Sequence, residues 1–344
     1  MSRRRFPSAF LLALLILFVA TVSACGGSGA GSKDGAAGDA DAARIGFYAA
    51  SDDSYAQRVK DVLERTFADD RDTNPVIEFE GGTETDEGQI AAIDDFISSG
   101  CKAIVAVGNS PEATIACIER CKAAGVPYFG AVRDFSSAPN ARDSAGSTAY
   151  DCVSGGYLAG QDALARGVRK VINVEGASNQ ADATAQVFGF LKAYEDAGLS
   201  LGGYTAERIA AEKPSVSRLD GTQAVEIVFW ASGGASSEEA REAFEEALRA
   251  VGKTGFDGVY IHGDLWTEGV IAALGDAGRG TADCWIGAMS DGEVSWDWAE
   301  DGLITIGVGR PPTLEGILLY QQIKAYLEGS AYRAHLHPYF TSYT

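Results

Sequence analysis

Two stretches of the chain place a glycine and then a polar residue after a short apolar run. One reads Gly100-Cys-Lys-Ala-Ile-Val-Ala-Val-Gly-Asn109, the other Gly255-Phe-Asp-Gly-Val-Tyr-Ile-His-Gly-Asp264. Each leads into a helical segment ending in Ala-Gly, at Ala124-Gly125 and Ala277-Gly278. A polar residue in this place stands at the carboxyl end of a strand, where open α/β sheets hold their ligands. Asn109 and Asp264 are therefore candidates for hydrogen-bonding a polar solute. Catalytic patterns are poor by contrast. The chain has three histidines, His262, His335 and His337, and neither a Gly-x-Ser-x-Gly elbow nor a His-Glu-x-x-His run. Gly252-Lys253-Thr254 lacks the earlier glycine of a phosphate loop, since Ala247 stands there. His335-Leu336-His337 has no third ligand nearby and reads as a tail strand, so neither a metal nor another cofactor is expected. Abundant carboxylates leave a secreted glycoside-acting enzyme as an alternative.

Those residues need elements to place them. Ile45 to Ala50, Val76 to Glu80, Ala103 to Val107 and Pro127 to Val132 are short apolar runs that predict strands. Between them, Ser54 to Phe67 and Gln89 to Ser98 carry apolar residues at helical spacing. Ser110 followed by Pro111 starts a further helix with a cap and a proline at the first position. After a polar stretch from Arg133 to Thr148 the alternation resumes. Helices are expected over 155–166, 183–197, 237–251 and 314–327, and strands over 171–174, 226–230, 258–261, 285–289 and 304–308. Alternating strands and helices predict a parallel sheet covered by helices. With 344 residues and the repeat between Asn109 and Asp264, two doubly wound α/β lobes fit better than one sheet.

The N-terminus supplies an address. Met-Ser-Arg-Arg-Arg precedes a 14-residue run, Ala9 to Val22, apolar except for Thr21 and too short for a membrane span. It reads as a secretory signal over residues 1–24. Val22-Ser23-Ala24-Cys25 resembles the bacterial lipobox, which makes Cys25 a lipidation site; the alternative is an ordinary signal in which Cys25 is incidental. Residues 25–43, mostly Gly, Ala, Ser and Asp, cannot build a core and read as a flexible tether. The formal net charge of −20, with 28 Lys and Arg against 48 Asp and Glu, argues against nucleic acid as a partner. Five cysteines follow Cys25, at 101, 117, 121, 152 and 284. A Cys101–Cys121 bridge, buried thiols and metal ligation by Cys117 and Cys121 all remain open.

From residue 43 onward the chain resembles type I periplasmic binding proteins, the ribose- and galactose-binding branch of ABC-transporter solute receptors. The likeness is carried by Arg44-Ile-Gly-Phe-Tyr48 with Asp53-Ser-Tyr55, by Gln89 to Val107, and by Lys122-Ala-Ala-Gly-Val-Pro127. Tyr150-Asp151 with Gly155-Gly156, Gly189-Phe190 and Gly263-Asp264-Leu265-Trp266 continue it. The resemblance implies a clamp of two lobes joined by crossing strands, closing on a solute. Its lobes would take residues 44–147 with 309–337, and 148–308 with 338–344. The partners implied are a small polar ligand such as a monosaccharide, an ABC permease, and the membrane through the lipid at Cys25. A ligand sensor signalling to a membrane histidine kinase or chemoreceptor is the alternative. Ligand positions implied are Asp53, Tyr55, Asn109 and Arg133 in the first lobe. In the second they are Gln186, where sugar receptors carry an arginine, and Asp264, Trp266 and Asp291. Four of them also have a plain structural reading: a helix cap for Asp53, core packing for Tyr55, and turns for Asn109 and Asp291. Arg310, just ahead of Pro311-Pro312, reads as a loop residue.

Overall fold

The computed structural model describes residues 43–50, 54–70, 75–82, 85–135, 138–176 and 181–344. Cys25, residues 1–42 and Asp53 lie outside them, so the expected signal, most of the tether and one ligand position do too. The first run of elements is β1 (Arg44–Ala50), α1 (Ser54–Asp69), β2 (Val76–Gly82), α2 (Asp86–Ser98), β3 (Ala103–Ala106), α3 (Pro111–Ala124), β4 (Tyr128–Ala131) and β5 (Gly146–Thr148). The second run opens with α4 (Cys152–Ala165), β6 (Lys170–Glu175), α5 (Ala181–Asp196), α6 (Ala206–Glu212) and β7 (Glu226–Ser232). It continues through α7 (Ser237–Val251), β8 (Gly258–Ile261), α8 (Asp264–Asp276), β9 (Trp285–Ser290), α9 (Glu293–Glu300) and β10 (Ile306–Gly309). The chain ends with α10 (Pro312–Leu327), β11 (His335–Leu336) and β12 (Thr341–Tyr343).

Two six-stranded sheets result, ordered β11-β5-β4-β3-β1-β2 and β12-β10-β9-β8-β6-β7. All pairings are parallel except β12 against β10. Each sheet buries apolar residues on both faces. Ile45, Phe47 and Val105 pack toward α1 and α10, whereas Tyr48, Ile104 and Ala106 pack toward α2 and α3. The second sheet repeats the arrangement, with Tyr260 and Trp285 on the α4–α5 side and Val259 and Ile286 on the α7–α8 side. That double burial is why the strands read as unbroken apolar runs. The expected cap also forms: Ser110 Oγ accepts from the Ala113 amide at 3.0 Å, with Pro111 opening α3.

The chain passes between the sheets after β5, after β10 and between β11 and β12. Helix α10 returns to the first sheet and packs on α1, where Gly316 lies against Val59 and Val62. The short elements β5, β11, β12, α6 and α9 have too few residues to show a period, and sequence reasoning passed over all but the tail strand. Cys101, Cys117, Cys121, Cys152 and Cys284 are all free and buried, so the Cys101–Cys121 bridge is not formed. Burial pushes the thiols of Cys117 and Cys121 up to about 12 and that of Cys284 to about 11. No helix among the described residues is long and apolar enough to cross a membrane.

Candidate functional site

Strands of both sheets lead at their carboxyl ends into one group of polar side chains, joined from lobe to lobe by Arg58 and Asp291, and the space between the lobes there is termed the cleft. From the first lobe, Asn109 follows β3 and Arg133 follows β4. Asn109 is fixed from three directions: its Nδ2 donates to Tyr48 Oη at 3.0 Å and to the Thr85 carbonyl at 2.9 Å, and its amide donates to Gln89 Oε1 at 2.7 Å. Its Oδ1 is buried without a partner. Arg133 Nη1 donates to the Gly108 carbonyl at 2.5 Å, which ties the two strand ends together. From the second lobe, Asp264 opens α8 after β8. Its Oδ1 accepts from Ser295 Oγ at 2.8 Å and its Oδ2 from the Asp291 amide at 3.0 Å. Burial, and then the charge of Asp291, raise the Asp264 carboxyl to about 6.

Asp291 is clasped by two cations. Its Oδ1 accepts from Arg310 Nε at 2.9 Å and its Oδ2 from Arg58 Nη2 at 3.0 Å. Arg58 lies on α1, so this ion pair spans the cleft from one lobe to the other. By sequence Arg310 reads as a loop residue. The structure places it at the end of β10, its amide continuing the ladder to the Ser290 carbonyl at 2.7 Å. Its guanidinium lies 4.7 Å from the ring centre of Tyr55 and is 14% exposed. The signal available was its position after an apolar strand; the two prolines behind it masked that signal.

Tyr55 is buried beneath this cation. Its hydroxyl lies 2.9 Å from Glu315 Oε2 and 3.1 Å from the Arg310 carbonyl. It serves as a platform that fixes Arg310. Trp266 turns inward: its Nε1 donates to the Gly234 carbonyl at 3.0 Å and its ring covers Gly233 and Gly263. Gln186 is buried on α5 beside Cys152, with Oε1 unpartnered.

Beneath the second-lobe strand ends lies a polar chain that sequence reasoning missed. His262 Nε2 is 2.8 Å from Asn173 Oδ1, Asn173 Nδ2 donates to Glu175 Oε2 at 3.3 Å, and Glu175 pairs with Lys213. Burial, with Lys213 and Arg310 behind it, lowers His262 to about 3, so the ring is neutral. With Nε2–H directed at Asn173, the bare Nδ1 is an acceptor, buried and unpartnered. The cleft therefore presents hydrogen-bond donors and acceptors of both charge signs. Among the described residues no group of three His, Cys, Asp or Glu could hold a metal ion.

Residues 45–331 match the family model of the periplasmic binding protein domain. No curated protein matches the chain. Among solved structures, a galactofuranose binding protein is 18% identical, with a TM-score of 0.69 over 88% of this chain and 94% of that one. The periplasmic component of the arabinose ABC transporter from Shewanella sp. ANA-3, bound to α- and β-L-arabinofuranose, is 20% identical, with a TM-score of 0.69 over 87% and 91%. An ABC transporter solute binding protein from Bacillus halodurans C-125, with bound myo-inositol, is 16% identical, with a TM-score of 0.68 over 89% and 96%. Two mostly parallel sheets with three crossings between them are the type I form of this architecture, and the chain belongs to the periplasmic binding protein family, whose members are solute-binding proteins and not enzymes.

Proposed function

We propose that this protein is a lipid-tethered, extracytoplasmic receptor that captures a sugar-like solute and delivers it to an ABC permease. The observation that carries the reading is the pairing across the cleft. Asn109 and Arg133 stand on one side, Asp264, Asp291 and Arg310 on the other, and Arg58 bridges to Asp291. Planar amides, carboxylates and guanidinium groups suit the paired hydroxyls of a polyol ring. The neighbours named above bind galactofuranose, arabinofuranose and myo-inositol, which are of that class. The lipobox at Cys25 and the small-residue segment behind it support tethering.

A thermal-shift panel of L-arabinose, D-galactose, D-fructose and myo-inositol tests the ligand class. A ligand at a hundred times its Kd stabilises the folded state by about 2.7 kcal/mol, a shift that unfolding resolves. For the sugar that binds, R133A and D264N are each expected to weaken affinity at least about tenfold by calorimetry while leaving the protein folded. Affinity unchanged in both variants overturns the site.

A further inference from the structure

Among the described residues, two that are not glycine have positive φ, and one of them, Val132 at 67°, stands at the cleft. Valine suits this region badly, because its branched Cβ crowds the backbone. The Arg133 amide donates to the Ala131 carbonyl at 2.7 Å, closing a three-residue γ-turn of the strained, positive-φ hand around Val132. Strained backbone persists only where the surroundings over-determine it. Here those surroundings are explicit. The Val132 amide lies 2.5 Å from Glu315 Oε1 and 3.2 Å from the Thr148 carbonyl. Glu315 is fully buried in the first turn of α10, and its other oxygen accepts from the Tyr55 hydroxyl at 2.9 Å. The valine side chain is packed into the core of the first lobe.

A buried carboxylate is a demanding choice for a helix face that packs on α1, and helix packing alone does not explain it. Its two oxygens are both engaged, one by the strained turn and one by the tyrosine beneath Arg310. We propose that Glu315 is a positioning residue, which holds Val132 in the left-handed turn and so fixes the Arg133 guanidinium beside Gly108 and Asn109. The inference rests on the reading of Arg133 as a ligand contact. Valine at the turn then has a purpose that glycine would not serve. Glycine enters the positive-φ region freely and leaves it freely, whereas valine clasped by Glu315 has one conformation.

The test combines E315L, E315Q, V132G and R133A, titrated calorimetrically with the four panel sugars and unfolded with urea. E315Q keeps an acceptor toward the Val132 amide and a donor toward Tyr55 Oη, and its affinity is expected within about twofold of wild type. E315L removes both acceptors and is expected to lower affinity about tenfold. Adding V132G to E315L restores most of that loss, because glycine adopts the turn unaided. In an R133A background the E315L effect on affinity disappears. Affinity lost in E315L and not restored by V132G overturns the proposal. The unfolding arm needs no ligand: V132G relieves a strain that Glu315 imposes only in wild type, so it is expected to raise the unfolding constant at least about fivefold more in E315L than in wild type. Equal effects in the two backgrounds overturn the hold of Glu315 on Val132. A wild-type protein that binds none of the panel sugars overturns the ligand reading instead, while the unfolding cycle still decides the clasp.

Discussion

Asp264 and Glu315 are two acids raised for the same reason and placed on opposite sides of the cleft. Burial lifts Asp264 to about 6 and Glu315 to about 7. Asp264 also faces Asp291 and Arg58, and Glu315 faces Tyr55, Tyr150, Arg310 and Asp182. A folded-state pKa above the unfolded value means that the folded protein holds protons that the unfolded chain has released. Stability from these two groups is therefore full below about pH 4 and falls as pH rises through about 6 and 7. D264N and E315Q are each expected to flatten the decline in urea midpoint between about pH 4 and 7 relative to wild type. Parallel pH profiles for wild type and both variants would contradict these environments. The strand-end placement of Asn109, Arg133, Asp264 and Asp291 was legible in the sequence because each follows an apolar strand. Glu315 was not, because a carboxylate one turn into a helix gives no hint that its partner is a backbone amide 183 residues away.

At the scale of elements, the tightest contact joins α4 and α5. A Cβ added at Gly160 would stand 2.3 Å from the Phe190 carbonyl oxygen, and one at Gly189 would stand 2.0 Å from that of Val153. Gly156 meets the Gln186 carbonyl in the same way, at 2.0 Å. The backbones themselves are in contact, so the obstruction cannot rotate aside. G160A and G189A are each expected to destabilise by about 2–3 kcal/mol in urea unfolding. Gly275, near the end of α8, meets nothing within 4 Å, and G275A is expected to be neutral or to stabilise by about 0.5–1 kcal/mol. A neutral G189A would remove the close approach. Gly155-Gly156 and Gly189-Phe190 stood in the sequence as family markers, and the packing supplies their physical reason. The long strands and helices were legible from apolar runs and caps. Strands of two or three residues such as β5 and β11 were not, since their pairing is set by chain segments distant in sequence.

At the scale of the molecule, both lobes share one plan, which the repeat between Asn109 and Asp264 announced. The three passages of chain between sheets came from the family resemblance and not from local pattern, because each passage depends on which sheet accepts a short strand. The acidic surface and the cleft belong to different parts of the molecule: the cations Arg58, Arg133 and Arg310 converge on the cleft, whereas most carboxylates face water. The five buried thiols form a set spread over both lobes, with Cys101, Cys117 and Cys121 in one and Cys152 and Cys284 in the other. A thiol-reactive dye can reach none of them until the surrounding lobe opens. Each lobe thus carries its own stopwatch, and labelling read by peptide mass reports the opening rate of each lobe separately. A ligand held between the lobes as proposed is expected to slow both clocks together. Slowing confined to one would mean that the solute is held by one lobe alone.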